Sequence, residues 1–266
     1  MLKLLACMAH PDDESLGLGG IMVRYAAEGI ETYLVTATRG ERGWPGPPET
    51  NPGLQKLGEI RTAELQKAAA VLKIKEVNFL DYLDGDLDHA DPEEATRKIV
   101  SHLRRIRPQV VATFDPFGAY GHPDHIAISQ LTMGAIVAAA SPDYLDNAGQ
   151  PPHQVQKLYY MASTTADGAV YESAFGKLIM NIDGQERGVV GWPEWALTTD
   201  IDTAACWPTV WEAVQCHRSQ LATYQLLAEL TAEQHQQLWG MSTFYRAFSL
   251  VNGGREKEND LFAGLR

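Results

Sequence analysis

The stretch Leu2-Lys3-Leu4-Leu5-Ala6-Cys7-Met8-Ala9-His10-Pro11-Asp12-Asp13-Glu14 decides how the chain is read. Its first seven residues are mostly apolar and predict a buried strand. An imidazole and three carboxylates then fall within five residues at the strand's end, and Gly17-Leu18-Gly19-Gly20 opens the helix that follows. Like charges held this close repel and raise one another's pKa. A divalent metal removes the conflict. His10 and one of the two aspartates are ligands of the kind zinc takes, and the other aspartate stays free to handle a proton. Spacing alone does not say which aspartate does which. The competing reading is a turn in which Asp12 and Glu14 cap the helix and suit its dipole.

Working outward, strands and helices alternate. Ser15 to Glu28 reads as a helix, with apolar Leu18, Ile21, Met22 and Tyr25, and Gly29 stops it. Residues 31–38 read as a strand and 39–53 as a long Gly/Pro-rich loop, a length more often functional than passive. Residues 54–72 read as a helix, 77–80 as a strand, 81–91 as an acidic loop, 92–106 as a helix with Pro92 in its first turn, and 109–114 as a buried strand. This order predicts an α/β fold: a Rossmann-like three-layer α/β/α arrangement on a mostly parallel sheet. Ligands of such sheets sit outside the carboxyl ends of the strands, where strand order reverses. His10, Thr38, Asp81 to Asp84 and Asp115 all lie just past predicted strand ends and are expected on one rim.

The second chemical cluster lies on that rim: Asp115-Pro116-Phe117-Gly118-Ala119-Tyr120-Gly121-His122-Pro123-Asp124-His125, followed by a helix over 126–140. A spacing of three lets His122 and His125 occupy neighbouring faces, one toward a metal and the other toward a substrate. Beyond residue 140 the pattern weakens to a polar loop over 141–154 and strands at 157–162 and 197–201 with an irregular stretch between them. Helices at 207–217 and 231–238, a strand at 244–251 and a charged, mobile tail at 253–260 complete the expectation. With no linker or repeat, residues 1–266 are expected to form one domain: a core over 1–140 carrying both clusters and a C-terminal α+β elaboration over 141–266.

Composition bounds the function. The chain has 266 residues, 45% of them hydrophobic, and a net charge of -12. That charge argues against a nucleic-acid partner, whose phosphates need a basic face. No 18-residue apolar run predicts a membrane span. Cys7, Cys206 and Cys216 form no CxxC pair, so a reducing cytoplasm is expected. Leu4-Leu5-Ala6-Cys7 outlines a lipoprotein cleavage box, but a buried strand explains it better. Self-association is left open.

The two clusters together resemble the PIG-L family, also called LmbE-like zinc deacetylases, through Ala9-His10-Pro11-Asp12-Asp13-Glu14 and His122-Pro123-Asp124-His125 about a hundred residues later. A looser match is His217-Arg218-Ser219-Gln220. The resemblance implies a Rossmann-like fold and hydrolysis of N-acetyl groups from N-acetylglucosamine-type conjugates, a small-molecule substrate. It implies Zn2+, with Fe2+ as the other metal, held by His10, Asp13 and His125. Asp12 is then the general base, and His122 stabilises the oxyanion or protonates the leaving amine. Tyr120 polarises the carbonyl. Arg61, in Gly58-Glu59-Ile60-Arg61, resembles a substrate-binding arginine of the bacterial thiol-cofactor members. Asp124 is expected to hold an imidazole of its own box, and Glu14 to cap or support rather than catalyse.

Other residues carry weaker expectations. Asp84 could bind sugar hydroxyls or simply make an acidic turn. Trp44, Trp192 and Trp195 could stack on a sugar, although packing is the commoner fate of tryptophan. His217 reads as structural or as a neighbour of the metal rim. The loops 39–53 and 184–195 are the expected substrate-selecting elements. Two other functions compete: an amidase cleaving a larger amide, such as a thiol S-conjugate of a glucosamine-type sugar, and a non-catalytic nucleotide-binding module. The glycine run lacks full GxGxxG spacing and has no acid at the usual place after the second strand, which weighs against the latter.

Overall fold

The computed structural model describes residues 1–146, 148–165, 168, 172, 176–177, 179–182 and 184–266. The elements of the first half run β1 (Lys3–Met8), α1 (Asp13–Ala27), β2 (Glu31–Thr38), α2 (Leu54–Val71), β3 (Glu76–Tyr82), α3 (Pro92–Ile106) and β4 (Val110–Phe114). A short kinked turn, α4 (Gly118–Gly121), leads into α5 (Pro123–Ala140). The second half adds β5 (Lys157–Met161), β6 (Ile179–Ile182), β7 (Gln185–Gly188), β8 (Thr199–Asp202), α6 (Trp207–Val214), α7 (Gln225–Ala228), α8 (Ala232–Trp239) and β9 (Met241–Ser249).

Seven strands form one sheet in the order β3-β2-β1-β4-β5-β9-β8. The strands from β3 through β5 pair in parallel, and β9 runs antiparallel between β5 and β8. Leu4 to Met8 are wholly buried, which accounts for the unbroken apolar run at the N-terminus. The order reverses at β1, because β2 lies on one side of it and β4 on the other. The loops after β1 and β4 therefore flank the crevice where such sheets bind ligands. The glycines of α1 serve packing. A methyl group on Gly19 would lie 3.2 Å from Val210, and one on Gly20 would lie 2.9 Å from Thr203. The run Gly17-Leu18-Gly19-Gly20 thus brings α6 and its preceding loop close against α1.

The mostly parallel α/β/α reading holds, and the differences lie where local signals are weak. The helix expected from residue 126 begins at Pro123, with the His122 side chain accepting a hydrogen bond from the Asp124 amide as its cap. The helix expected over 207–217 ends at Val214. The irregular stretch between 162 and 197 contains the hairpin of β6 and β7, although several of its residues, like Asn147 of the 141–154 loop, lie outside the described residues. The tail expected to be mobile is tied to the sheet. Glu258 accepts hydrogen bonds from Lys157 (2.7 Å), Tyr159 (2.7 Å) and Thr199 (3.1 Å), and Leu261 and Phe262 are fully buried. The sequence pattern could not show that Lys157, buried in β5, needs a distant carboxylate to balance its charge. Among the described residues, no helix is long and apolar enough to cross a membrane.

Candidate metal centre

The loops after β1 and β4 bring three donors together across more than a hundred residues. His10 Nδ1 lies 3.2 Å from His125 Nε2, Asp13 Oδ2 lies 3.7 Å from His10 Nδ1, and Asp13 Oδ1 lies 3.6 Å from His125 Nε2. Bonds of about 2.0–2.2 Å to a tetrahedral ion separate its ligand atoms by roughly 3.3–3.6 Å. The three groups converge at near this spacing, with each Asp13 oxygen facing a different imidazole. Asp13 Oδ2 is engaged by the backbone amides of Ala9 (3.1 Å) and His10 (2.7 Å), which fixes the carboxylate and turns Oδ1 to His125. The His125 ring stacks on Phe114 at the end of β4, with centroids 3.9 Å apart. Two other triads place one donor atom each mutually within 4.8 Å: His10 with His122 and His125, and His10 with Asp84 and Asp124.

A second layer orients His10. Its Nε2 is 3.0 Å from Asp124 Oδ2 and 3.1 Å from Asp84 Oδ1, so Nε2 carries a proton toward these carboxylates and Nδ1 faces Asp13 and His125. This corrects the expected role of Asp124. Its carboxylate holds His10 of the other box, while only its backbone amide meets His122 of its own. Turn geometry makes the difference, since Asp124 Oδ2 and Oδ1 also accept the amides of Gly85 (2.7 Å) and Leu87 (3.0 Å). Asp84, expected to bind sugar or to form a plain acidic turn, faces His10 and accepts the Arg42 amide at 3.0 Å. Burial opposes a charged His10, but Asp124, Asp84 and Asp13 outweigh it and lift its pKa to about 10. Burial also pushes Asp13 up to about 7 against the pull of His10, and His10 holds Asp84 down at about 2 against its own burial. The pocket concentrates negative charge around one imidazole, the electrostatic setting a cation satisfies.

Asp12 stands beside this cluster at φ 115°, a backbone region that non-glycine residues seldom adopt. Such strain costs of order 1–3 kcal/mol and persists only where the surroundings enforce it. Here Glu14 Oε2 accepts the Asp12 amide at 2.9 Å, and the wholly buried Glu14 pairs with wholly buried His217 at 2.8 Å. Burial opposes both charges, yet each partner outweighs it, so Glu14 is held below and His217 above its ordinary range. The Asp12 side chain is held through Oδ2 by Arg61 Nη2 (3.0 Å) and the Tyr224 hydroxyl (2.6 Å). Arg61, expected to bind substrate, is buried at the cavity wall. It spends its guanidinium on Asp12 and on the carbonyls of Gly40 (3.0 Å) and Pro11 (2.5 Å).

His122 accepts the Asp124 amide at Nδ1 (3.1 Å), which assigns its proton to Nε2. Burial and the nearby His10 lower its pKa to about 4, so at pH 7 it is a neutral donor. Tyr120 meets His125 edge-on, with ring centroids 5.2 Å apart, and burial with the surrounding carboxylates keeps its hydroxyl protonated. These groups line a cavity of about 450 Å³. The expected selecting loops reach it through Gly43, Val189 and Val190. Trp44, Trp192 and Trp195 do not line it. Trp192 donates to Asp115 Oδ2 (2.7 Å) and packs at a tilt against Tyr245, Trp44 donates to the Pro47 carbonyl (3.1 Å), and Trp195 is 78% exposed.

Tyr224 was not read from the sequence, because a tyrosine 212 positions from its partner carries no local signal. His217, expected to be structural or a neighbour of the metal rim, is a structural partner of a buried carboxylate. His217 meets Glu14, Ser219 meets Glu64 (2.7 Å), and Gln220 donates to the Gly43 carbonyl (2.8 Å).

A family model described as GlcNAc-PI de-N-acetylase, PIG-L, matches residues 5–136. A protein of Kineococcus radiotolerans named 1D-myo-inositol 2-acetamido-2-deoxy-alpha-D-glucopyranoside deacetylase is 34% identical over 312 residues, covering 99% of this chain and 83% of that protein. A conserved protein of Thermus thermophilus superposes with a TM-score of 0.67 at 25% identity, covering 97% of this chain and 100% of that one. The 4-carboxy-2-hydroxymuconate hydratase of Pseudomonas putida also superposes at 0.67, with 19% identity over 96% of this chain and 99% of that one, a likeness of fold alone. On the family match and the near full-length 34% identity, this chain belongs to the PIG-L family.

Proposed function

We propose that the chain is a single-domain, metal-dependent N-deacetylase that removes the acetyl group from an N-acetylglucosamine-type conjugate. The observation that carries this reading is the convergence of His10 Nδ1, Asp13 and His125 Nε2 beside a braced Asp12. The deacetylase named for the relative supports the substrate class. Three unpaired cysteines agree with a reducing cytoplasm.

His10, Asp13 and His125 would hold the ion, and two imidazoles with one carboxylate suit zinc, with iron(II) as the second choice. When bound, the ion would acidify a water and polarise the acetyl carbonyl. The chain's own residues do the rest. Asp12 takes the proton of the attacking water, with its carboxylate aimed by Arg61 and Tyr224. His122, a neutral donor through Nε2, and the Tyr120 hydroxyl supply hydrogen bonds to the oxygen on which charge develops. Asp84 and Asp124 act as positioning residues by fixing the His10 ring. Asp12, once protonated, is a source of a proton for the departing amine.

Metal analysis and acetate release from a panel of N-acetylglucosaminides test this reading. The protein should carry one divalent ion per chain and release acetate, and Asp12→Ala should keep the ion but lose at least about a hundredfold in kcat. Full activity in that variant overturns the assignment of the base. Release of a larger acid from an S-conjugate in preference to acetate supports the larger-amide reading instead.

A further inference from the structure

Residues 217–224 give Gln220, Thr223 and Tyr224 to the cavity wall, and they run as single turns rather than as a continuous helix. Their backbone bonds pass from the Gln220 amide to the His217 carbonyl (2.9 Å), from Thr223 to Gln220 (2.9 Å) and from Tyr224 to Leu221 (3.0 Å). Such turns fix the chain locally without fixing where it sits. Side chains set its place. His217 meets Glu14 at one end and Tyr224 donates to Asp12 Oδ2 at the other, so both ends are tied to the stretch that carries the base. The middle is tied to α2. Glu64 accepts the Ser219 amide at Oε1 (2.8 Å) and the Ser219 hydroxyl at Oε2 (2.7 Å).

Glu64 is buried, and a buried carboxylate is costly unless its oxygens are satisfied. Ser219 satisfies one donor to each oxygen. Glu64 follows Arg61 by three on α2, so the two share a face of that helix. Arg61 reaches Asp12 Oδ2, and Glu64 reaches the segment that brings Tyr224 to the same oxygen. The contacts close a ring: Asp12 to Arg61, along α2 to Glu64, across to Ser219, along the turns to Tyr224, and back to Asp12. Neither Glu64 nor Ser219 lines the cavity.

Resting on the deacetylase reading, we infer that Glu64 is a positioning residue for the hydrolysis, which acts through Ser219 and the Tyr224 hydroxyl on the aim of Asp12. One helix thereby sets both donors to Asp12 Oδ2, Arg61 directly and Tyr224 through Glu64. The role is geometric rather than ionic. A glutamine in this place keeps both bonds, its carbonyl accepting the Ser219 amide and its NH2 donating to the hydroxyl oxygen. A leucine keeps neither. Misplacing a catalytic group by about 1 Å from a remote site costs up to about a hundredfold in rate, and with Arg61 still in place about tenfold is expected.

Steady-state acetate release from the metal-loaded protein compares Glu64→Leu, Glu64→Gln and Ser219→Ala with the parent, each with and without Tyr224→Phe. Glu64→Leu should lower kcat about tenfold and leave KM within about twofold. Ser219→Ala removes one bond of the two and should lower kcat about threefold, and Glu64→Gln should recover most of the kcat that Glu64→Leu loses. In the Tyr224→Phe background Glu64→Leu should cost less than about threefold more, because the tie works through that hydroxyl. An unchanged kcat in Glu64→Leu, or an equal loss with and without Tyr224→Phe, would overturn the inference. If Glu64→Leu does not fold, Ser219→Ala decides by the same comparison. A fluorine NMR signal from meta-fluorotyrosine in place of Tyr224, read on metal-free protein, needs no turnover. Asp12→Asn and Glu64→Leu should each move it, and Glu64→Gln should leave it in place. A signal indifferent to Glu64→Leu would also overturn the inference. A parent that releases no acetate would count against the deacetylase reading, and the fluorine signal would still decide whether Glu64 places Tyr224.

Discussion

Removing the hydroxyl of Tyr224 isolates the arrangement around Asp12. In Tyr224→Phe the ring stays and the 2.6 Å hydrogen bond to Asp12 Oδ2 goes. Tyr224 is only 8% exposed, so water cannot freely replace the lost donor. A hydrogen bond to a charged group contributes about 1.5–3 kcal/mol. Arg61 still holds the same oxygen at 3.0 Å, which favours the lower half of that range. At about 1.4 kcal/mol per factor of ten, the expected loss in kcat is roughly 10- to 40-fold. The loss belongs in kcat because the contact aims the base rather than the sugar. The assay is steady-state acetate release at saturating and limiting substrate, with metal content and thermal melting checked alongside. In an Asp12→Asn background the same change should have little further effect, because the two act as one unit. A kcat within about threefold of the parent, or a loss confined to KM, would refute the claim that Tyr224 works through Asp12.

Other expectations follow from the same geometry. His217→Leu leaves the buried Glu14 without its ionic partner, which costs about 3–5 kcal/mol and lowers Tm by roughly 6–20 °C; a shift under about 2 °C in a melting scan would contradict the pairing. Glu258 is buried, yet Lys157, Tyr159 and Asn252 hold it below the ordinary carboxylate range. A depressed folded-state pKa contributes stability above the unfolded value of about 4.3 that is lost as pH falls through the folded value. Glu258→Gln should therefore lower Tm at pH 7 and flatten its decline below about pH 4.5; parallel Tm–pH curves would count against this. Chelation should abolish acetate release and lower Tm, and zinc at 100 times its Kd should restore about 2.7 kcal/mol of stability; a melting temperature indifferent to chelator and zinc would argue against a bound ion.

Much of the first half was legible because its signals are local. The apolar run to Met8, the glycine after α1 and the proline at the start of α3 each state an element in a few neighbouring residues. Strand alternation then forces residues after β1 and β4 onto one rim, so the sequence alone leads one to expect His10 and His125 to meet. What could not be read is how side chains divide their partners across that rim. Asp124 follows His122 by two, yet its carboxylate belongs to His10, because Gly85 and Leu87 pull it toward the β3 end. Arg61 sits in the middle of a helix, and only the packing of α2 shows that it turns inward to Asp12. Tyr224 and the Glu258 clamp depend on contacts between distant segments whose local sequence is ordinary. The second half was accordingly read less well than the first.

Anomalous diffraction from crystals of the zinc-loaded protein tests the central claim most directly. The account predicts one strong peak at about 2.0–2.2 Å from His10 Nδ1, Asp13 Oδ1 and His125 Nε2, with Asp12 outside bonding distance. A peak held instead by Asp84 and Asp124, or by His122 in place of Asp13, would contradict it.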